Sequence, residues 1–233
     1  MGDDDAGTTV RKCLQEENIP CLLLTHETAP TGLCPVVVND KGWRTSVAVL
    51  DSCEVNLSGV MSQILNNQEF RSCCHFLYTT GFFLEFNSEA ALKAARFSLD
   101  NNKFFGFNFA AEYLFQTQRE AIIEMIKFSD VLYCNREEAQ AAAESLQKEI
   151  NLPEEDSSNL KVIAEYFSKF CKHNQQRPRT VIITNSEKPV TVCVGPYLDK
   201  EAEVFEVSVE PLDRRSVIDT NGAGDCFVGG FLA

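Results

Sequence analysis

Positive charge is what this sequence is short of. Against 34 Asp and Glu it carries 21 Lys and Arg, a formal charge of −13 at pH 7. Neutralising nucleic-acid phosphates or an anionic membrane surface takes clustered Lys and Arg, so neither is expected as a partner. Histidine is scarce, and no two of the ten cysteines are spaced C-x-x-C, which removes the usual zinc and redox patterns. No secretory h-region opens the chain, and Ala6 stands where N-myristoylation wants Ser or Thr. No apolar run approaches the length that crosses a bilayer. The expectation is a cytoplasmic chain, with the nucleus as a second compartment, whose thiols stay reduced. Internal repeats and low-complexity tracts are absent as well.

What is present is a core and a rhythm. Hydrophobic residues make up 44 % of the 233, seventeen of them Phe, enough for one sizeable α/β domain. A polar helix over Thr8–Glu17 and an apolar run over Pro20–Leu24 come first. Two β-rich stretches follow, Leu33–Val38 and Trp43–Leu50, joined at Asp40-Lys41-Gly42 as a hairpin. A short helix is expected over Ser58–Asn66. Strand-like segments then alternate with helical ones. The strands fall at Cys74–Tyr78, Lys103–Phe109 and Val131–Tyr133. The helices fall at Ser88–Asp100 with Ser88 as N-cap, Glu112–Phe128, Arg136–Lys148 and Leu160–His173. Thr180–Thr184, Thr191–Val194 and Val204–Val209 complete the strands. This alternation predicts a mostly parallel sheet covered by helices on both faces, and ligands at the carboxyl ends of its strands. The early hairpin, within a lid element at about 20–50, stands apart from that rhythm.

Two motifs carry chemistry. Asp219-Thr220-Asn221-Gly222-Ala223-Gly224-Asp225 runs into the apolar stretch Cys226–Leu232. Glycines flanking a small residue let backbone approach a ligand closely. A helix opening there turns unpaired N–H groups and a positive dipole end outward, an anion hole for a phosphoryl group in transfer. A carboxylate one residue beyond the hole, Asp225, sits where an attacking hydroxyl needs a base. The loop is not a Walker A sequence, lacking Gly-Lys-Ser/Thr. The second motif, Asn135-Arg136-Glu137-Glu138, directly follows a strand. Asn135 and Glu138 share a helical face and can organise a hydrated Mg²⁺, although an N-cap with acidic first-turn residues reads the same way.

The heptad resembles the signature of the ribokinase (PfkB) family, and Asn135–Glu138 its N-x-x-E motif. Pro30-Thr31-Gly32, Thr80-Gly81-Phe82-Phe83-Leu84, Phe107-Asn108 and Phe227-Val228-Gly229-Gly230-Phe231 are similar to the family's adenosine-phosphorylating branch, nearly end to end. The resemblance implies ATP and Mg²⁺, and adenosine or a similar nucleoside as acceptor. It gives Asp225 the role of base toward the 5′-hydroxyl, and gives the Gly222, Ala223 and Gly224 amides the moving phosphoryl. Asn135 and Glu138 would organise the metal through water, Thr184 matches a threonine on the nucleotide side, and Asp219, Thr220 and Asn221 belong to the same nucleotide loop. Arg44 matches a lid arginine closing over the γ-phosphate, and Phe82 or Phe83 an aromatic that stacks on adenine. The implied fold is a single ribokinase-like α/β domain over 1–233 with a small β lid, incomplete relative to the family.

Departures are expected to matter. Gly2-x-Asp4-x-x-Gly7 resembles an element that lies well inside a full member, and Ala233 falls within the catalytic helix. The chain therefore looks truncated at both ends, holding roughly two-thirds of a member. Ser186 stands where the nucleotide-side motif wants Gly. Ser46 and Asp51-Ser52-Cys53 also differ from the usual residues. A non-catalytic product that binds nucleotide or a partner, and a kinase for another nucleoside or sugar, stay open as alternatives.

Overall fold

The computed structural model describes residues 1–39, 44–210, 212–213 and 216–233. The predicted hairpin turn Asp40-Lys41-Gly42, with Trp43, lies outside the described residues. The chain forms two compact units, Met1–Asn56 with Arg214–Thr220, and Leu57–Asp213 with Asn221–Ala233.

The first unit opens on helix α1 (Asp5–Glu16), whose N-cap is Asp4. The Asp4 carboxylate accepts from the Gly7 amide at 2.8 Å, the Thr31 hydroxyl at 2.6 Å and the Thr31 amide at 2.7 Å. Those donors, the Thr31 hydroxyl first, hold its carboxyl down at about 2 from 3.8. A depressed carboxyl stabilises the fold above its unfolded pKa, and the contribution is lost as pH falls through the folded value. Hydrogen exchange should therefore show the Gly7 and Thr31 amides losing protection between roughly pH 4 and pH 2. In Asp4→Asn that loss should not occur in this window. Strands β1 (Val36–Val38) and β2 (Arg44–Ser46) pair antiparallel, Val36 opposite Ser46. An isolated bridge continues them at Leu33 and Val49. Both are shorter than predicted. Pro35 lacks a ladder donor, and Val36 to Val38 are exposed on both faces, so the ribbon has little to pack on.

The second unit carries the predicted rhythm. In order come α2 (Ser58–Asn66), α3 (Gln68–Cys73), β3 (Phe76–Thr80), α4 (Gly81–Asp100), β4 (Phe104–Asn108), α5 (Leu114–Thr117) and α6 (Arg119–Phe128). Then follow β5 (Val131–Asn135), α7 (Arg136–Ser145), α8 (Gln147–Ile150), α9 (Leu160–Lys169), β6 (Thr180–Asn185), β7 (Lys188–Val194), β8 (Glu203–Val207) and α10 (Ala223–Leu232). The six strands stand in the order β3-β4-β5-β6-β7-β8. β3 to β6 pair in parallel, and β7 and β8 turn antiparallel. Strand alternation sorts the core onto two faces. Phe105, Phe107, Leu132, Cys134, Val181 and Ile183 meet α4, α6, α7 and α9 in the large cluster. Val131, Tyr133, Ile182 and Val190 face the other way, toward Val228 of α10.

Three predicted helices begin or break elsewhere, one of them Arg136–Lys148, which parts at Leu146 (φ −106°, ψ 14°). α4 starts at Gly81 rather than at a Ser88 cap, and carries a non-helical residue, Asn87 (φ −133°, ψ 31°), just before Ser88. Asn87 is buried there because its Oδ1 accepts from the Leu57 amide at 2.7 Å. The single helix predicted over Glu112–Phe128 is two, parted at Gln118 (φ −125°, ψ 24°).

At the amino ends of the strands sits a buried polar node. Arg179, 1 % exposed, spends its guanidinium on backbone carbonyls. Nε donates to Ser129, Nη1 to Phe167 and Phe170, and Nη2 to Ile126 and Cys171, at 2.7–3.2 Å. These carbonyls lie at the carboxyl ends of α6 and α9, where Ile126 and Phe167 also take the cap N–H of Ser129 and Phe170. Burial pulls the group down to about 10, still charged at neutral pH. Beside it Asp130 accepts from Lys172 at 2.7 Å and from the Phe105 amide at 3.0 Å.

Candidate active site

The carboxyl ends of β5 and β6 carry Asn135 and Thr184, which are register partners in the parallel pair. Asn135 caps α7. Its side chain accepts from the Glu138 amide at 2.8 Å, while the Glu138 carboxylate accepts from the Asn135 amide at 3.0 Å and from Asn135 Nδ2 at 2.8 Å. This is a capping box. Glu138 is 8 % exposed, and burial, with Glu112 and Glu137 nearby, holds its carboxyl above the usual range. An excess of negative charge in a half-dry place suits a dication. Both Glu138 oxygens already accept, so Mg²⁺ fits here through its own waters rather than by displacing the cap. Among the described residues no three His, Cys, Asp or Glu gather into a cage by themselves. Thr184 donates to the Cys134 carbonyl at 3.4 Å.

Ser186 adopts the left-handed conformation (φ 53°) at the β6–β7 turn. The sequence comparison with the family wanted Gly at this position, and the structure shows the reason. Ser186→Gly should stabilise the chain by roughly 0.5–1 kcal/mol in urea unfolding, since a side chain in this region is strained.

Gly222 is the N-cap of α10, left-handed at φ 72°, and no side chain caps the helix. A Cβ built at Gly224 would meet nothing within 4 Å. The fold itself does not demand glycine at 224, so the demand falls on whatever approaches that backbone. Asp225 follows in the first turn, exposed to solvent. One turn on, on the same face, Val228 is buried against the strands, and the Phe231 ring meets Tyr133 edge-on at 5.7 Å. The second unit thus seats the helix that bears Gly222, Ala223, Gly224 and Asp225 against the sheet whose strand ends bear Asn135 and Thr184, with Glu138 in the first turn of α7. Asn221 lies in the same unit, whereas Arg44, Asp219 and Thr220 belong to the first. Phe83 is partly buried and packs against the large core, while Phe82 is 51 % exposed.

Sequence reasoning passed over Tyr78 and the role of Asn108. Asn108 Nδ2 donates to the Tyr78 hydroxyl at 3.1 Å. Burial raises the Tyr78 phenol, and the charges of Asp225 and Glu138 raise it further. Tyr78 stood at the end of the strand predicted over Cys74–Tyr78, beside Phe76 and Leu77, where it looks like one more core side chain.

Compared with known proteins, the whole chain, residues 1–233, matches the family profile described as pfkB family carbohydrate kinase. Adenosine kinase of Dictyostelium discoideum is 28 % identical over 233 residues, covering 100 % of this chain and 64 % of its own length. Adenosine kinase of Schizophyllum commune is 28 % identical over 234 residues with the same coverage. Among solved structures, Anopheles gambiae adenosine kinase in complex with P1,P4-di(adenosine-5) tetraphosphate superposes at TM-score 0.88 with 28 % identity. Schistosoma mansoni adenosine kinase in complex with 2-fluoroadenosine gives 0.84 and 28 %. Both cover 100 % of this chain and 64 % of theirs. The chain thus spans less than two-thirds of the relatives' length.

Proposed function

We propose, since this chain belongs to the pfkB family of carbohydrate kinases, that its site serves transfer of the ATP γ-phosphoryl group to the 5′-hydroxyl of adenosine. The observation that carries the reading is the uncapped start of α10, with Gly222 left-handed, open space at Gly224 and Asp225 in the next position. Phosphoryl transfer asks a protein for position and for charge stabilisation. Backbone amides at a helix start supply the second, and a carboxylate beside them takes the proton from the attacking hydroxyl. A bound Mg²⁺ would supply charge neutralisation of the phosphates, held by waters that Glu138 and Asn135 orient. Thr184, Asn221, Asp219 and Thr220 are assigned to the nucleotide, Phe82 to stacking on the adenine ring, and Arg44 to the γ-phosphate. Adenosine as acceptor is supported by similarity to adenosine kinases alone, and ribose and inosine are the natural competitors.

The test is product formation by the purified chain with ATP and Mg²⁺, offered adenosine, inosine and ribose in turn. AMP from adenosine at the highest kcat/KM supports the proposal. Faster turnover of ribose or inosine keeps the chemistry and moves the acceptor. Absence of product with all three, from a chain with a folded circular dichroism spectrum, overturns catalysis by this chain.

A further inference from the structure

We infer that Tyr78, aimed by Asn108, is a positioning residue for Asp225, its phenol donating a hydrogen bond that orients the carboxylate. The inference rests on the reading of Asp225 as the base. Tyr78 lies in β3, and its oxygen accepts from Asn108 Nδ2 at 3.1 Å. Asn108 is itself fixed, its Oδ1 accepting from the Ala110 amide at 3.1 Å. A phenol that already accepts from an amide still has its own proton to give. The Tyr78 ring stands edge-on to Tyr133 at 5.9 Å and 75°, and it packs against the small cluster that seats Val228. Asp225 precedes Val228 by one turn on the same face of α10, which carries its carboxylate toward the Tyr78 hydroxyl.

The competing acceptor is Glu138. Each of its oxygens already accepts from Asn135, one from the backbone amide and one from the side chain, and its remaining lone pairs are those assigned to the metal's waters. Asp225 has no such commitment among the described residues, so the phenol proton goes to it. Burial and the two carboxylates all keep Tyr78 in its neutral, donating form. The Asp225 carboxylate lies near enough to raise the Tyr78 phenol, without a closed hydrogen bond between the two. Catalytic hydrogen bonds commonly tighten only once substrate fills the site. A carboxylate held in one rotamer presents its free lone pair to the attacking hydroxyl, where an untethered exposed one would spend most of its time elsewhere.

Two readings test this. In turnover with adenosine, Tyr78→Phe should lower kcat by about tenfold with KM unchanged, the loss of one hydrogen bond to a charged group. An unchanged kcat, or a loss confined to KM, overturns the inference. Independently of turnover, the ¹³Cζ resonance of Tyr78 in tyrosine-labelled protein should move on Asp225→Asn and stay in place on Asp100→Asn. A resonance indifferent to Asp225→Asn overturns it too. With five tyrosines in the chain, the signal is assigned by elimination. If the wild-type chain gives no AMP, the proposed function fails while the resonance still decides whether Tyr78 senses Asp225. If Tyr78→Phe does not fold, Asn108→Ala takes its place, with a fall in kcat and a shifted Tyr78 signal expected together.

Discussion

Asp225→Asn should lower AMP formation by about 10²–10⁴-fold, the range over which a positioned general base contributes. Its melting temperature should stay within a degree or two of the parent. The two halves of that result have separate causes. Asp225 is exposed in the first turn of α10, so removing its charge leaves no buried group unpaired and costs only a small dipole interaction. Turnover depends on the carboxylate as base, and an amide cannot take the proton. Gly224→Ala completes the argument. Its Cβ meets nothing within 4 Å, so the fold should accept it, yet it stands where a phosphoryl group must touch backbone. Displacing that group by an ångström is worth roughly a hundredfold in kcat. A pair of variants that lose activity and keep stability locates the chemistry at the α10 start. Parent-like turnover in Asp225→Asn would remove the role from that residue.

The largest effect on stability is expected far from this site. Arg179→Met should cost about 3–5 kcal/mol, the scale for breaking a buried charged network. In a chain of this size that corresponds to a fall in Tm of roughly 10 °C. Methionine fills much of the volume but returns nothing to the five carbonyls that Arg179 serves at the ends of α6 and α9. Arg179→Lys keeps the charge with three donors on a point rather than a planar fork, and should recover part of the loss. Arg96→Met, at an exposed position on α4, is the control and should lie within about 0.5 kcal/mol of the parent. Urea unfolding of the three proteins separates them. A parent-like Arg179→Met would mean the carbonyls find water instead.

These two sites also show what the sequence could and could not disclose. The parallel sheet was legible because Val131-Leu132-Tyr133 and Thr180 to Thr184 are short apolar runs set between helical periods. The α10 start was legible because chemistry confines it to a few residue types in a fixed order. Arg179 was not legible. In Asn174-Gln175-Gln176-Arg177-Pro178-Arg179 it reads as part of a polar surface loop, and only the convergence of two helix ends on one point draws it inside. Tyr78 was hidden for a similar reason, since its partners Asn108 and Asp225 stand 30 and 147 positions away in sequence. Ser186 went the other way. Its place where the family motif wants Gly was legible from residue type, and the chain adopts φ 53° regardless. Asn87 was missed because its side chain stands in for a backbone acceptor to Leu57, a long-range substitution that no local propensity reveals.

The order of the strands has a consequence for how the second unit assembles. Each strand from β4 to β8 neighbours the one made just before it, so pairings close over the intervening helices or turns and can form progressively during synthesis. α10 breaks that sequence, since it must return across the unit to reach Val131, Tyr133 and Ile182. Its docking closes the longest loop and buries few side chains, Val228 chief among them. The segment that bears Asp225 is therefore the last to acquire its place and the first to give it up. Pulse-labelled amides of α10 should gain protection after those of β5 and β6 have done so, leaving a folded sheet that has not yet become a site.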